Sequence, residues 1–397
     1  MALRSKGPAL IVGGGIGGLT LALALARRGW RSCVLERRSA WSEAGAGIQL
    51  SPNALQVLRA LDVAETLGPQ AGVPEKIMVR DAASARLLQE LPLGSWIEQR
   101  HGAPYWQVHR RDLQAALIAR VAEEPMVTVH LGFEASSVQD NGQRVQLEST
   151  HGDRLEGTFV VGADGIFSRV RQQSLGAARP RLSGWTAART VLSSDELDDG
   201  VIDRGATGVW LAPKAHVVHY PVRAGREIAF VVVQTEAWSE PGWSAPVPAG
   251  NIEAVLARAA PKLARAIRSG HGWRRWALFE LAPLERWSRG RITVLGDAAH
   301  PTLPFLAQGG ALAIEDAWTM AFCIGQLVPS CSIADALVNY QMLRARRARQ
   351  VVAAARRNGF VFHLAGPAAW ARNATMRAIG GARVMAGYDW VYGWRPA

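Results

Sequence analysis

The sequence feature that most constrains the fold is the segment from residue 9 to residue 36. Four apolar residues precede the glycine-rich run GGGIGG, and an apolar helical pattern follows it. Gly13, Gly15 and Gly18 fit the pattern G-x-G-x-x-G, which permits a tight turn, close approach of backbone to a pyrophosphate, and close packing of helix on strand. A second apolar strand ends at Glu36, where a carboxylate can accept hydrogen bonds from ribose hydroxyls. The segment therefore predicts a strand–helix–strand unit that binds a dinucleotide.

The composition predicts a globular chain of two or three domains. Its 397 residues are 49% hydrophobic and 20% charged, which is enough apolar material for a large core. The net charge of +12 raises the question of nucleic-acid binding. We expect none, because the arginines are scattered and their densest group lies on a helical pattern without interleaved aromatic residues. We interpret this group as a solvated helix face; it comprises Arg344, Arg346, Arg347, Arg349, Arg356 and Arg357.

The cysteines and the first apolar stretch bear on metal binding and on compartment. Cys33, Cys323 and Cys331 show neither CxxC nor metal-ligand spacing, so we expect no metal and a reduced, cytoplasmic protein. Residues 8–26 are uncharged and long enough to cross a membrane. Five glycines within six residues instead favour a buried strand–turn–helix unit, and we expect neither a membrane span nor a signal peptide.

The order of strand and helix patterns predicts an α/β fold with an interrupted nucleotide domain. Strand–helix patterns recur near 9–36, 105–170 and 291–327, and two β-rich segments separate them. We therefore predict a Rossmann-like domain that is discontinuous in sequence, an inserted β-sheet substrate domain and C-terminal helices. The predicted boundaries are 1–72, 102–178 and 288–330 for the nucleotide domain, 73–101 and 179–287 for the substrate domain, and 331–397 for the helical segment.

Three further loops carry groups suited to a ligand. The small residues 44–50 allow backbone to lie against a flat ligand. Asp164 follows an apolar strand and precedes a helix, and Asp297 follows the apolar strand at 291–295. Asp164 thus stands beside the N-terminus of a helix, and a plain turn residue is the alternative interpretation.

Three motifs in order identify a family resemblance: GGGIGG with Glu36, GADGIFSRVR at 162–171, and GDAAHPTLPFLAQGGALAIEDA at 296–317. Together they resemble the single-component flavoprotein aromatic monooxygenases, the para-hydroxybenzoate hydroxylase-like family. The segments GAGIQLSPNA and HYPVR look most like the branch with salicylate, 3-hydroxybenzoate and 6-hydroxynicotinate hydroxylases. The resemblance spans essentially the whole chain and implies that FAD occupies the Rossmann-like domain.

The resemblance also implies roles for individual residues. It places Gly13, Gly15 and Gly18 at the pyrophosphate and Glu36 at the adenosine ribose. It places Asp164 in a motif linked to the pyrophosphate and to NAD(P)H, and Asp297 at the ribityl chain. At the flavin it places Arg110 nearby and, along the isoalloxazine ring, Pro304, Gln308, Gly309 and Gly310. Relatives often carry a methionine where this chain reads Gly310-Ala311-Leu312. With a single G-x-G-x-x-G, the chain has no second Rossmann domain, so the resemblance implies that NADH or NADPH binds transiently.

The strand pattern at 215–220 supplies the candidate catalytic groups. Strand alternation places His216 and Tyr220 on one face and His219 on the other. The resemblance implies that His216 is a base or hydrogen-bond partner of the substrate and that Tyr220 positions it, while Gln308 bonds substrate or peroxide; a structural role is the alternative for each. We expect His219 to be structural and His363 to be isolated.

The sequence thus predicts an FAD-dependent monooxygenase that uses NAD(P)H and dioxygen. By resemblance it hydroxylates a hydroxylated aromatic carboxylic acid through a flavin hydroperoxide, which requires a site that excludes water. A larger or non-carboxylate ring, such as a quinone precursor or polyketide, is the alternative substrate; flavin binding without turnover and nucleic-acid binding are the alternatives from other classes. The sequence leaves open the ring, the attacked position, any decarboxylation, the arginine for a substrate carboxylate, and whether the chain is a monomer or homodimer.

Overall fold

The computed structural model describes residues 7–41, 46–176, 179–197, 200, 202–248, 250–328 and 331–396. The strands are β1 (Ala9–Val12), β2 (Ser32–Glu36), β3 (Gly47–Leu50), β4 (Lys76–Asp81), β5 (Leu87–Pro92), β6 (Trp106–His109), β7 (Val127–Leu131), β8 (Ala135–Asp140), β9 (Val145–Ser149), β10 (Arg154–Gly157), β11 (Phe159–Gly162), β12 (Arg181–Ser193), β13 (Ala206–Ala212), β14 (Ala215–Val222), β15 (Glu227–Thr235), β16 (Ser244–Pro246), β17 (Arg274–Glu280), β18 (Ser288–Arg289) and β19 (Ile292–Val294). The helices are α1 (Ile16–Ala26), α2 (Pro52–Ala60), α3 (Ala64–Leu67), α4 (Gly94–His101), α5 (Arg110–Ala122), α6 (Arg169–Leu175), α7 (Glu253–Leu256), α8 (Pro261–Arg268), α9 (Gly309–Gly325), α10 (Ile333–Phe362), α11 (Gly366–Ala378), α12 (Gly381–Ala386) and α13 (Asp389–Tyr392).

A mostly parallel sheet forms the predicted Rossmann-like core. Its strand order is β18-β19-β11-β1-β2-β7, and every neighbouring pair is parallel except β18 with β19. The central strand β1 is entirely buried, with Val12 opposite Leu35 on one side and Gly162 on the other. Helix α1 packs closely on α9, because a Cβ on Gly17 would lie 3.3 Å from Ala313 of α9. The same Cβ would lie 2.7 Å from Leu295, which follows β19. The carboxyl ends of β1, β11 and β19 therefore meet at one edge.

An eight-stranded sheet forms the second layer. Its order is β16-β17-β12-β15-β14-β13-β4-β5, so the hairpin formed by β4 and β5 joins strands from 181–280. One face packs under α7 and α8 in a cluster that includes Trp210, Phe230 and Ile267. The opposite face contacts Leu303 and Phe305, from the loop before α9. This sheet therefore has one sealed face and one face turned toward the Rossmann-like layer.

Some local predictions were incomplete or wrong. Residues 47–50 form strand β3, which pairs with β6, rather than a loop, because main-chain pairing satisfies their backbone groups; Ala44 and Gly45 lie outside the described residues. The small sheet β8–β10 and strand β17 were not predicted. The 30-residue helix α10 begins with a capping box formed by Ser332 and Asp335. No helix in the part of the chain described here combines the length and apolar character needed to cross a membrane.

The sealed face of the large sheet contains His219, as the alternation predicted. The imidazole is buried between Trp210 and Phe230, and its Nδ1 has no hydrogen-bond partner. Burial lowers its pKa to about 4; nearby Asp203 acts in the opposite direction, and Arg80 and Lys262 add to the lowering. His219 is therefore a neutral core residue on the far side of the sheet from the Rossmann-like layer.

We predict that His219 makes the fold acid-sensitive. The unfolded chain protonates this side chain near pH 6.5, whereas the folded chain does so near pH 4, so stability is lost as the pH falls across that interval. The loss attributable to His219 is about 3 kcal/mol. Denaturant unfolding at pH 7, 5.5 and 4.5 should show a shallower decline for His219→Leu than for the wild type. Parallel declines would show that this histidine does not titrate on unfolding.

Candidate active site

The glycine turn between β1 and α1 leaves an open concavity at the edge of the parallel sheet. Gly13 has φ +114°, and a Cβ there would lie 2.3 Å from the carbonyl oxygen of Ala163. A Cβ on Gly18 would lie 2.0 Å from the carbonyl oxygen of Gly13. A Cβ on Gly15, in contrast, would meet nothing within 4 Å. The turn is thus tightly packed on its inner side. It is open at the N-terminus of α1, where backbone amides are available, and this arrangement suits a pyrophosphate.

Glu36 closes the turn from the end of β2. Its Oε2 accepts a hydrogen bond from the Gly14 amide at 3.0 Å, and its Oε1 accepts one from the Arg38 amide at 3.1 Å. The residue is buried. The carboxylate is therefore held at the mouth of the glycine turn, which is the position that a ribose-binding acid requires.

Asp164 reaches the same edge from β11. Its Oδ2 accepts hydrogen bonds from the amides of Arg169 and Val170, at 2.8 and 3.2 Å, and so caps α6. Its Oδ1 is buried and has no partner. Burial raises the pKa of this carboxyl, against the opposing effect of those hydrogen bonds. Asp164 therefore keeps one acceptor free beside the glycine turn.

Asp297 and Arg110 line the cleft between the two layers. Asp297 lies in a 3-10 turn after β19, and Arg110 begins α5; both side chains are accessible to solvent. Protein nevertheless surrounds Asp297, which raises the pKa of its carboxyl, while His300 and Arg110 oppose this rise. Asp297 and Arg110 are thus close enough to interact at this edge of the sheet, and both remain accessible to a ligand.

The face of the large sheet that borders this cleft is only partly covered. Val191, Val218 and Val231 remain partly exposed there, although Val217 and Val232 on the other face are buried. Tyr220 lies beside them, against β3, since a Cβ on Gly47 would lie 2.6 Å from its hydroxyl oxygen. Burial raises the pKa of Tyr220 to about 12. Its hydroxyl has no hydrogen-bond partner among the described residues, so it is available to a ligand in the cleft.

His216 forms a pair with a histidine that the sequence analysis expected to be isolated. His216 Nδ1 lies 2.8 Å from His363 Nε2, and the His363 ring stacks on Trp185 with centroids 4.0 Å apart. Phe305 packs against both imidazoles. Burial, with His363 as neighbour, lowers the pKa of His216 well below its usual value, so both rings are neutral near pH 7. The expectation that His363 is isolated was wrong: no local signal joins residues 147 positions apart.

Gln308 is tied into the protein rather than free. Its Nε2 donates to Ser51 Oγ at 2.9 Å, and its Oε1 accepts from Asn53 Nδ2 at 3.1 Å. Gln308 is buried and precedes α9, whose first residues are Gly309 and Gly310. The side chain therefore positions the loop from Pro304 to Gly310 against the segment after β3. Because both amide atoms are used, the geometry favours a positioning role over direct contact with a substrate.

A buried ionic cluster around Asp316 fixes the segment from Gly296 to His300, which precedes the Pro304–Gly310 loop. Asp316 accepts hydrogen bonds from the Gly296 amide at 3.0 Å, from Arg344 Nε at 2.7 Å and from His300. Burial alone would raise the pKa of Asp316, but the charges of His300 and Arg344 and their hydrogen bonds lower it to about 2. His300 is thus a structural partner of Asp316 and fixes the segment that carries Asp297.

The adjacent acid, Glu315, extends the cluster in two directions. It binds Arg347 Nε and Arg344 Nη2, each at 2.6 Å, and accepts a hydrogen bond from Asn53. Arg347 also donates to the carbonyls of residues 390 and 391, near the end of the chain. The predicted solvated helix face was therefore wrong for Arg344 and Arg347. Helical spacing alone did not reveal that two acids on α9 face α10.

We predict that Arg344→Met strongly destabilises the fold. The substitution leaves Glu315 and Asp316 buried with too little positive charge, which costs about 3–5 kcal/mol in comparable cases. Urea unfolding at pH 7 measures this loss. The matched control is Arg346→Met, because Arg346 is exposed on the same helix and its substitution should change stability by less than about 0.5 kcal/mol. Equal stability of the two variants would contradict a structural role for the cluster.

Comparison with known proteins agrees with this geometry. The family model described as an FAD binding domain matches residues 6–355. The chain is 35% identical over 386 residues to 3-hydroxybenzoate 6-hydroxylase 1 of Aquipseudomonas alcaligenes, covering 97% of each chain. It is 31% identical over 344 residues to 6-hydroxynicotinate 3-monooxygenase of Pseudomonas fluorescens, covering 86% of this chain and 88% of the relative.

Among solved structures, the fold is similar to that of Klebsiella pneumoniae HpxO complexed with FAD and uric acid. The TM-score is 0.86 at 24% identity, over 97% of this chain and 96% of that one. The open glycine turn, the free acceptor of Asp164 and the enclosed Asp297 fit FAD, while the described residues contain no group of side chains suited to a metal ion. The chain belongs to the FAD-binding-domain family and is an FAD-dependent aromatic monooxygenase.

Proposed function

We propose that this protein uses NAD(P)H and dioxygen to hydroxylate a hydroxylated aromatic carboxylic acid of the hydroxybenzoate or hydroxynicotinate type. The observation that carries the proposal is the partly covered sheet face with His216 at one end and the unpartnered Tyr220 hydroxyl at the other. The names of two relatives specify ring acids with a hydroxyl group, which supports this substrate class. In the overall reaction, one oxygen atom enters the ring and the other leaves as water, with two electrons from NAD(P)H.

The bound flavin supplies dioxygen activation and transfer of an electrophilic oxygen once NAD(P)H has reduced it. We assign its contacts to the residues already described. Gly13, Gly15 and Gly18 would leave room for the pyrophosphate, Glu36 would accept hydrogen bonds from the adenosine ribose, and Asp297 would accept them from the ribityl chain. The site would be completed by Arg110, Asp164, Pro304, Gly309 and Gly310.

His216 can activate the ring through the substrate hydroxyl. Electrophilic attack is faster when that hydroxyl gives up part of its proton, because the ring then gains electron density. A neutral His216 accepts such a hydrogen bond through Nε2 when its Nδ1 donates to His363. We propose that His363 holds His216 in this tautomer. The low pKa of His216 favours a shared proton over full transfer.

Tyr220 and the aromatic wall orient the ring and keep water out. The Tyr220 hydroxyl remains protonated at neutral pH, since its pKa is raised to about 12, and it can donate a hydrogen bond to the substrate. Trp185, Leu303 and Phe305 form an apolar wall beside His216. A dry wall at this point limits unproductive release of hydrogen peroxide.

A substrate panel tests the proposed function. The purified FAD-loaded protein should oxidise NADH or NADPH and consume oxygen in equal amounts with a hydroxylated ring acid, and should release a hydroxylated or hydroxylated and decarboxylated product. The panel comprises salicylate, 3- and 4-hydroxybenzoate, 6-hydroxynicotinate, phenol and a neutral polycyclic phenol. Coupled turnover only with the neutral rings would instead identify a hydroxylase of larger or non-carboxylate substrates.

We predict that His216→Ala lowers coupled hydroxylation by about 100-fold, because the ring loses its hydrogen-bond acceptor. Flavin absorbance should show that FAD remains bound, and product and hydrogen peroxide should be measured together. The matched control is His219→Leu, three residues along the same strand but on the sealed face, which should retain wild-type coupling at pH 7. Undiminished coupled turnover in His216→Ala would remove this residue from the mechanism.

A further inference from the structure

One arginine on the cleft face lacks a counter-charge. Arg189 lies in the middle of β12, directly opposite Val231 of β15, and Val231 lies opposite Val218 of β14. Residues opposite each other in neighbouring strands share a face of the sheet. Arg189 therefore lies on the same face as His216 and Tyr220, one strand beyond the partly exposed valines.

The Arg189 side chain forms no ion pair with any described residue. It is half-buried, and its Nε is inaccessible and has no hydrogen-bond partner. Buried arginines elsewhere in the described residues have partners of two kinds. Arg275 and Arg344 each pair with two acids, whereas Arg171 and Arg372 donate to backbone carbonyls. Arg189 has neither kind of partner. A guanidinium withdrawn from water without a partner is unfavourable unless a ligand supplies one.

The groups around Arg189 direct its charge into the cleft. Its Cζ lies 5.6 Å from the centroid of the Trp276 ring, which holds the guanidinium by a cation–π contact. The charged or titratable groups that act on it are Tyr220 and Arg110, and neither is an anion at neutral pH. Two cations thus face one space without an acid beside Arg189, so an anion there would be stabilised by both.

The sheet register fixes where an anion bound to Arg189 would lie relative to His216 and Tyr220. Along the strands, Arg189 falls in the row between the row of His216 and the row of Tyr220. Neighbouring strands are about 4.8 Å apart, so β15 separates Arg189 from β14 by a span of about 10 Å between backbones. A single aromatic ring lying over β15 spans this gap, with its hydroxyl toward β14 and a second substituent toward β12.

We propose that Arg189 binds the carboxylate of the aromatic substrate and selects rings that carry this group. The inference rests on the proposed function and adds the positioning residue that the sequence analysis did not identify. A guanidinium offers two parallel donors to a carboxylate, which fixes the ring orientation as well as its affinity. A neutral ring of the same shape gains nothing from this contact and leaves the cation unpaired.

The test measures binding separately from turnover. The FAD-loaded wild type, Arg189→Met, Arg189→Lys and the control Arg181→Met are titrated with ring acids and with a neutral analogue, while changes in flavin absorbance report Kd. The ligands are 3-hydroxybenzoate, salicylate, 6-hydroxynicotinate and 3-hydroxybenzyl alcohol. Arg181 is a suitable control because it is an exposed arginine of the same strand, paired with Glu280.

Arg189→Met should raise the Kd of the ring acids by about 10- to 100-fold, the usual effect of losing a charge-assisted hydrogen bond. The Kd of 3-hydroxybenzyl alcohol should change by less than about threefold, and Arg181→Met should leave every Kd unchanged. Arg189→Lys should lie between wild type and Arg189→Met, since it keeps the charge and loses the paired donors. If Arg189→Met fails to retain FAD, Arg189→Lys provides the same comparison.

Three outcomes would overturn this assignment. Equal weakening of acids and alcohol would make Arg189 a structural part of the wall, and an unchanged Kd for the acids would exclude the contact. A wild type that binds the alcohol but no ring acid would overturn both the assignment and the proposed substrate class. Acids that bind through Arg189 but are not hydroxylated would contradict only the proposed function.

Discussion

The buried ion pairs between α9 and α10 are the constraint on which the rest of the structure depends. Glu315 and Asp316 are adjacent on α9, and both are inaccessible to solvent. Neither can be buried as an anion without the arginines of α10, and Arg344 contacts both. Through Asp316 the cluster fixes Gly296 and His300, and through Glu315 it reaches Asn53 and the loop before α9. One electrostatic requirement thus sets the relative positions of three segments that bound the cofactor cleft.

The cleft differs from this cluster in the way its polar groups are satisfied. In the cluster, each acid is paired with a cation of α10, although Nη1 of Arg344 is buried without a hydrogen-bond partner. Along the cleft, Asp164 keeps a buried oxygen without a partner, Tyr220 keeps a free hydroxyl, and Arg189 keeps a free guanidinium. Unsatisfied groups of this kind are costly in a folded protein, and they persist where a bound molecule completes them. From the glycine turn to the large sheet, these groups lie in the order expected for a dinucleotide followed by the proposed aromatic substrate.

Predictions from sequence succeeded where the physical signal is local. The glycine turn, the acid at the end of β2 and the alternation of β14 all depend on neighbouring residues, and the structure has the turn, strand and faces that they predicted. Predictions failed where the signal is a contact between distant segments. His363 was expected to be isolated, and Arg344 was expected in solvent, because nothing near either residue specifies its partner. The substrate contact of Gln308 stays a prediction; the structure adds that its amide is bonded by Ser51 and Asn53, which no local signal indicates.

The sequence by itself determined the class of protein. The spacing of the glycines specifies a dinucleotide fold, because turn geometry and helix ends are local properties, and the family resemblance of the three motifs implies the flavin. Only the tertiary structure decided which polar side chains bond to other protein groups and which face the cleft. That difference depends on burial and on partners more than a hundred residues away, as for His216 and His363. The same difference distinguishes two arginines: Arg344 pairs with two acids, whereas Arg189 has no acidic partner among the described residues.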